Sequence, residues 1–414
     1  MQNILAMLLA KSIPSIAMVV FGIKELYMAT IMLLMVILIL ANGKFHKELI
    51  IPLCIILYLF VISIFASPYF NLMSLRQALI IPFFFIFGFF FVNKIEINKF
   101  ANLVFKFYII IVLLGLFERF VLYTEDESFF YMWGVREWAN MKGWGYELPR
   151  SWYSTDLSSW TVERIRRIPG LLIGDAVSFG QMLVFPLILA VINKKYFIAI
   201  IVVIALVFSL SKGGILATFV GLSLFFIYEK KFSQGTRYIL FGISALTVGI
   251  FIYIILGYLT QMSSVMLHFN GFYTNFMNLF DNPFGNGVGS GGNFARRFGY
   301  SEIPDAFGIA TQRISDFSVI ARGESFLGTM LSQFGIFGLF MYFYYPIRLF
   351  KTQLRKDQTF LQGIKYTVLG LFAVGFFSEA AFTYIGTGFI VALIPLVIMG
   401  NRSNNTSTPL LYKQ

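Results

Sequence analysis

The sequence predicts an all-α, polytopic membrane protein with about twelve transmembrane helices and two long loops on one face. Two observations argue for this class and a third excludes its rival. Of 414 residues, 58% are hydrophobic and 13% charged, whereas soluble domains carry about 25% charged residues. Apolar stretches of about 20 residues recur from end to end, the length at which a helix crosses a hydrocarbon core. The ten-residue alternating pattern of a membrane β-barrel does not occur.

The elements follow in chain order. The first span, roughly 4–23, is interrupted by Lys11 and Pro14. It reads as a retained anchor, because no small-residue cleavage site follows a short apolar core. Spans 26–42 and 49–66 flank "GKFHKE"; spans 77–93 and 101–122 flank "NKIEINK". A loop of about 124–170 follows. Spans 171–192 and 196–211 are joined by "INKKY", and a tight "SKGG" leads into 213–228. "EKKFSQGTR" precedes 238–260, after which a second loop covers about 261–323. Span 324–345 ends at "PIRLFKTQLRKDQ", and spans 364–382 and 384–400 are joined by a very short turn. Residues 1–414 thus form a single transmembrane domain.

Basic residues in short loops set orientation. Lys44, Lys47, Lys94, Lys99, Lys194, Lys195, Lys230, Lys231, Lys351 and Lys356 all fall on one side, which the rule makes cytoplasmic. Both termini share that side, and the two long loops lie outside. The outer side uses arginine instead: Arg76, Arg119, Arg136, Arg150, Arg164, Arg166, Arg167, Arg296, Arg297, Arg313 and Arg322. Lysine suffices for topology, whereas the planar guanidinium fork fits phosphate and carboxylate. Three of these arginines stand in "TVERIRRIPGLLIG", directly before a span, where the topology rule disfavours charge. They are there for an anionic ligand, or as the mixed charge of a long loop.

The net charge of +12 is explained by these basic loops and does not call for nucleic acid. One cysteine, Cys54, rules out an intrachain disulfide and a thiolate metal site. Two histidines, His46 and His268, rule out a multi-histidine site. "TEDES" (Glu125, Asp126, Glu127) resembles a metal-holding acidic signature but reads as a solvated loop start; no metal and no cofactor are expected.

All five tryptophans, Trp133, Trp138, Trp144, Trp152 and Trp160, fall in the first loop. Clustered there, they form stacking platforms for sugar rings, the packing anchors of a small loop core, or both. The second loop opens with "FMNLFDNPFGNGVGSGGN", whose glycines let backbone approach a ligand closely. It lacks the strand-to-helix frame of a nucleotide loop. In "LLIGDAVSFGQMLVFP", Gly174, Ser178 and Gln181 share one helix face, with Asp175 at its border. That face lines a cavity or packs a neighbouring helix through small residues. Arg322 and Glu324 stand at the mouth of span 324–345.

Four stretches, "RRIPGLLIGDAVSFG", "SLSKGGILATFVG", "NPFGNGVGS" and "ESFLGTMLSQFGIFG", resemble motifs of the O-antigen ligase/polymerase superfamily. They cover about 164–340. Lys212 replaces the usual arginine of the second motif, and the last ends Gly335-x-x-Gly338. Family ligases carry a histidine where this chain has Glu324, so the Wzy-type O-antigen polymerase is the nearer likeness. The resemblance implies a metal-independent glycosyltransferase of the bacterial inner membrane, acting on its periplasmic face in O-antigen or capsule biosynthesis. Its substrates would be undecaprenyl-diphosphate-linked oligosaccharides, with membrane lipid and a chain-length-regulating copolymerase as partners.

On that reading Arg164, Arg166, Arg167, Arg313 and Arg322 hold the diphosphate. Glu324 acts with Arg322 and Arg167 at the reacting centre, and the five tryptophans and Asp175 meet glycan. An Arg322–Glu324 structural pair is the alternative. A ligase remains a related alternative, and a lipid-linked oligosaccharide flippase an alternative of another class. Transporters place binding residues at the bilayer midplane and show internal repeats. Here Lys106 and Glu379 lie near span ends, and no two-half repeat is visible.

Overall fold

The computed structural model describes residues 47–65, 72–92, 96–117, 120, 176–229, 235, 263–291, 325–378 and 390–405. The expected spans 4–23, 26–42 and 238–260 and the loop 124–170 lie outside them. Among the described residues there is helix, turn and connection but no strand. A 3-10 turn, Lys47–Leu49, leads into α1 (Ile50–Phe65); α2 is Leu72–Val92 and α3 Ile97–Phe117. Then come α4 (Ala176–Ile192), α5 (Tyr196–Ser209), α6 (Lys212–Glu229) and α7 (Ser263–Asp281). The last are α8 (Phe326–Lys351), α9 (Thr359–Gly375) and α10 (Ile394–Asn405). Among the described residues, α3, α6 and α8 are long and apolar enough to cross a membrane.

The chain divides into two compact units, Met1–Lys44 with Phe89–Thr218, and Phe45–Gly88 with Phe219–Gln414. In the first, α3, α4 and α5 pack on one another. α4 is apolar apart from Ser178 and Gln181, and residues 178–190 are all buried. Tyr108 of α3 meets Phe185 of α4 with ring centroids 5.4 Å apart. α5 turns Ala199, Val202, Ala205 and Leu206 inward and leaves Phe197, Ile200, Val203, Ile204 and Val207 exposed. Its outer face is larger and more apolar than its inner face, the reverse of a soluble helix. That arrangement suits a lipid surround, in which small residues bring helix backbones close.

In this unit the lysine-rich connections share one end. Lys195, between α4 and α5, lies 4.7 Å from the ring of Phe105, in the first half of α3. At the other end Phe120 packs edge-on against Phe208 of α5. The second unit repeats the pattern. Arg348 near the end of α8 is ion-paired with Glu48 before α1. Lys365 Nζ donates to Thr352 O, which follows α8, at 2.9 Å and lies 3.9 Å from Glu229 Oε1 at the end of α6. Tyr366 OH donates to the same carboxylate oxygen at 2.6 Å. So "GKFHKE", "EKKFSQGTR" and "PIRLFKTQLRKDQ" begin or end together at one end of that unit, as a common side requires.

Several segments differ from expectation. α2 begins five residues before its expected span, so that Arg76 falls within it, α3 begins at Ile97 and not at 101, and α9 covers Thr359–Gly375 and not 364–382. Two differences reach further. Residues 263–281, expected to open an outer loop, form α7. The 26 residues of α8 are not one rod. Gly335 has φ 57° and ψ −135°, a conformation that costs a side-chain-bearing residue dearly. The helix folds back there. The rings of Phe326 and Tyr342, 16 residues apart, are 6.1 Å apart; a straight helix would separate those positions by about 24 Å. A Cβ on Gly338 would strike the carbonyl of Met330. α8 is therefore a short arm, 326–334, folded against a long arm, 336–351. Hydropathy reads one apolar run and is blind to the turn, because glycine interrupts neither composition nor length.

Candidate functional site

Glu324, Arg322, Arg313, Arg164, Arg166, Arg167, Asp175 and the tryptophans Trp133, Trp138, Trp144, Trp152 and Trp160 lie outside the described residues. What the structure does describe is the scaffold next to them in the chain: the start of α4 after Asp175, and Ser325 with α8 after Glu324.

Ser325 is fully buried and caps α8, its Oγ accepting from Gly328 N at 2.9 Å. The same hydroxyl donates to Phe376 O at the end of α9, at 2.6 Å. Thr329 Oγ1 donates back to Ser325 O at 2.9 Å. A Cβ on Gly328 would strike Gly271 O of α7. The first turn of α8 is thus fixed on two sides, by α7 and α9, one residue after Glu324.

The break at Gly335 is closed by the glycine-rich turn. In an unbroken helix Ile336 N would bond Ser332 O. Here Ile336 N donates to Pro283 O at 2.9 Å, Asn286 N donates to Ser332 O at 2.8 Å, and Gly287 N donates to Gln333 O at 3.0 Å. Gln333 Nε2 donates to Gly291 O at 3.1 Å, and Ser290 Oγ lies 3.4 Å from Ser332 Oγ. Gly285, at φ 80°, leaves its missing Cβ 2.5 Å from Phe334 N. The close backbone approach that the glycines were expected to offer a ligand is made to α8, within the chain. Ile336 N, Ser332 O and Gln333 O, freed by the bend, find partners in the turn, while the side-chain oxygen Gln333 Oε1 is buried without one.

A second junction forms in the other unit. Leu210 ends α5 in the left-handed conformation, its N–H bonded to Val207 O. Ser211 Oγ then accepts from Gly214 N at 3.2 Å, as an N-cap does, and donates to Val177 O of α4 at 3.2 Å. A Cβ on Gly180 would strike Ser211, and one on Gly214 would strike Gly180 O. Ser178 and Gln181, expected on a cavity wall or a packing face, are 1% and 0% exposed. The contact with Ser211 is made by the neighbouring Val177 and Gly180 side of α4.

The four stretches that carry the resemblance are therefore in contact two by two. The end of "RRIPGLLIGDAVSFG" packs on "SLSKGG" in the first unit, and "NPFGNGVGS" on "ESFLGTMLSQFGIFG" in the second. Sequence spacing showed neither pairing. The buried Glu229–Lys365–Tyr366 cluster was also missed; its signal was a lysine inside the apolar run "FLQGIKYTVLG". Among the described residues, no group of three His, Cys, Asp or Glu side chains could hold a metal. Comparison of the chain with known protein families, curated proteins and solved structures returns no match.

Proposed function

We propose that the chain is a bacterial polysaccharide polymerase of the inner membrane, with about twelve spans, both termini in the cytoplasm and its site on the periplasmic face. It would move a growing O-antigen or capsule glycan from undecaprenyl diphosphate to the terminal sugar of a lipid-linked repeat unit. The observation that carries this reading is the order of the four stretches along an apolar helical chain whose outer loops are rich in arginine.

The chemistry asks little of a cofactor. The acceptor hydroxyl attacks the anomeric carbon, the bond from that carbon to the phosphate oxygen breaks, and the lipid diphosphate leaves with the bonding pair. Arg167 and Arg322, helped by Arg164, Arg166 and Arg313, would take up the charge that develops on the departing oxygens through paired hydrogen bonds. Glu324 would accept the hydroxyl proton or orient the acceptor. Trp133, Trp138, Trp144, Trp152, Trp160 and Asp175 would hold sugar. Direct displacement inverts the anomeric centre. A chain-length-regulating copolymerase would be the protein partner.

The test is reconstitution. Purified protein in lipid vesicles, given a lipid-linked repeat unit and no metal or nucleotide, should build a glycan ladder and release undecaprenyl diphosphate. Transfer to lipid A-core instead would make the chain a ligase. Movement of the lipid-linked unit across the bilayer without new glycosidic bonds would make it a flippase.

A further inference from the structure

α7 has its polarity inside out. Thr274 and Asn275 are buried, 7% and 5% exposed, on the side where Gly271 meets α8. Phe276, Met277 and Phe280 are 37%, 44% and 71% exposed, and Phe284 beyond the helix is 65% exposed. Phe276, Met277 and Phe280 form one ridge by helical spacing, and Phe284 follows three residues past the helix end. A loop helix bathed in water would turn its asparagines and threonine outward and its phenylalanines inward.

The ridge is continuous with two apolar surfaces. Phe284 stacks on Phe337 of the long arm of α8, with centroids 6.4 Å apart. Phe337 meets Tyr58 of α1 at 4.5 Å, and Tyr58 OH reaches Phe284 O at 3.4 Å. Around that junction α8 exposes Ile336, Phe337, Phe340 and Ile347, and α1 exposes Leu53, Leu57 and Val61. α1 is a 16-residue apolar helix, and α8 is one of the helices apolar enough for a membrane.

Much of the irregular backbone at this point is paired inside the protein, as membrane depth demands. Its carbonyl and N–H groups at 283, 286, 287, 332, 333 and 336 are paired within the protein. Lipid-exposed unpaired backbone is not tolerated there, whereas protein-buried backbone is. Asp281 and Asn282 are exposed at the end of α7, between Phe280 and Phe284. A carboxylate is costly in hydrocarbon, so this end marks the headgroup level.

We propose that α7 and the 282–291 turn are a membrane-inserted segment. Phe276, Met277, Phe280 and Phe284 would face the acyl chains of one leaflet, and Asp281 would sit at its headgroups. This inference stands apart from the polymerase reading and survives if that reading fails.

Spin labels test it. In a Cys54→Ser background, single cysteines replace Met277, Phe280, Asp281 and Phe284, with Leu57→Cys as the apolar control and Lys356→Cys as the aqueous one. Labelled protein is placed in phosphatidylcholine vesicles and probed with oxygen and a water-soluble nickel chelate. Labels at 277, 280 and 284 should collide with oxygen in preference to the chelate, as at 57, and the label at 281 should admit the chelate. Chelate-dominated collisions at 280 and 284, as at 356, would overturn the proposal and return α7 to an aqueous loop. Immobile labels that neither probe reaches would overturn it too, by showing the ridge covered by protein. Because three apolar positions are probed, loss of one variant to misfolding leaves the test intact.

Discussion

Arg167 is the residue on which charge identity can be separated from charge sign. Lysine keeps the charge and loses the fork, so Arg167→Lys should insert normally. It should lose about 10²–10³ in polymerisation rate, the loss of one oxyanion-type contact. Long glycan ladders from the lysine variant, read on a gel beside the parent, would reduce the arginine to a topological role. Glu324→Gln nearly conserves volume and should leave single repeat units in place of polymer. If Glu324 merely partners Arg322, the double variant Arg322→Gln with Glu324→Gln should regain what each single change loses; a catalytic pair should stay inactive. At this scale residue type suggests chemistry, as in the arginine–lysine asymmetry, but the side chains of the arginines that carry it lie outside the described residues. The sequence was ambiguous along α4. Ser178 and Gln181 have the same spacing whether they line a cavity or pack a neighbouring helix, and what the structure adds is that both are buried.

Among the elements, most described helices could be read from apolar length. α1, α5 and α6 fall within one to two residues of expectation. α8 could not be read that way, because its bend depends on one backbone conformation and on a turn that lies far earlier in the chain, at Pro283, Asn286 and Gly287. Gly335→Ala should therefore destabilise the protein by at least about 1–3 kcal/mol, the cost of forcing a side chain into that region. A clash with Pro283 O adds to this. Gly235→Ala, where nothing lies within 4 Å, is the control. Equal thermal unfolding of the two variants in detergent would deny the bend. Tyr366→Phe removes the hydroxyl that donates to Glu229. A hydrogen bond to a charged acceptor contributes about 1.5–3 kcal/mol, so this variant should melt earlier than the parent.

Across the whole molecule, sidedness is what the lysine pattern encodes. Lys356 follows the long arm of α8, and Asp281 lies one residue before the turn that meets its far end. Maleimide that cannot cross membranes should label Lys356→Cys from one side and Asp281→Cys from the other. Lys230→Cys should share the side of Lys356, which the charge rule makes cytoplasmic. Labelling of Lys230→Cys from the periplasm would reverse the orientation. Helical class was readable because hydrocarbon imposes length and composition on a span, whereas the ends of α2, α3 and α9 were not. The contacts between the four resembling stretches were not, because they are made by backbone atoms that every residue type possesses.

The order of synthesis gives the fold-back of α8 a further consequence. Pro283, Asn286 and Gly287 leave the ribosome before α8 and can receive its broken turn at once. Phe376, which accepts from Ser325, is made last. A reporter fused just after Lys351 therefore interrogates a chain in which the short arm lacks its anchor on α9. An insertion apparatus presented with a largely apolar segment of 26 residues should lay it straight across the bilayer. Nested fusions at 351 should then report a different placement of the upstream segment from fusions beyond 378. That disagreement between truncation points would be the trace of a helix that folds back only once its successor is in place.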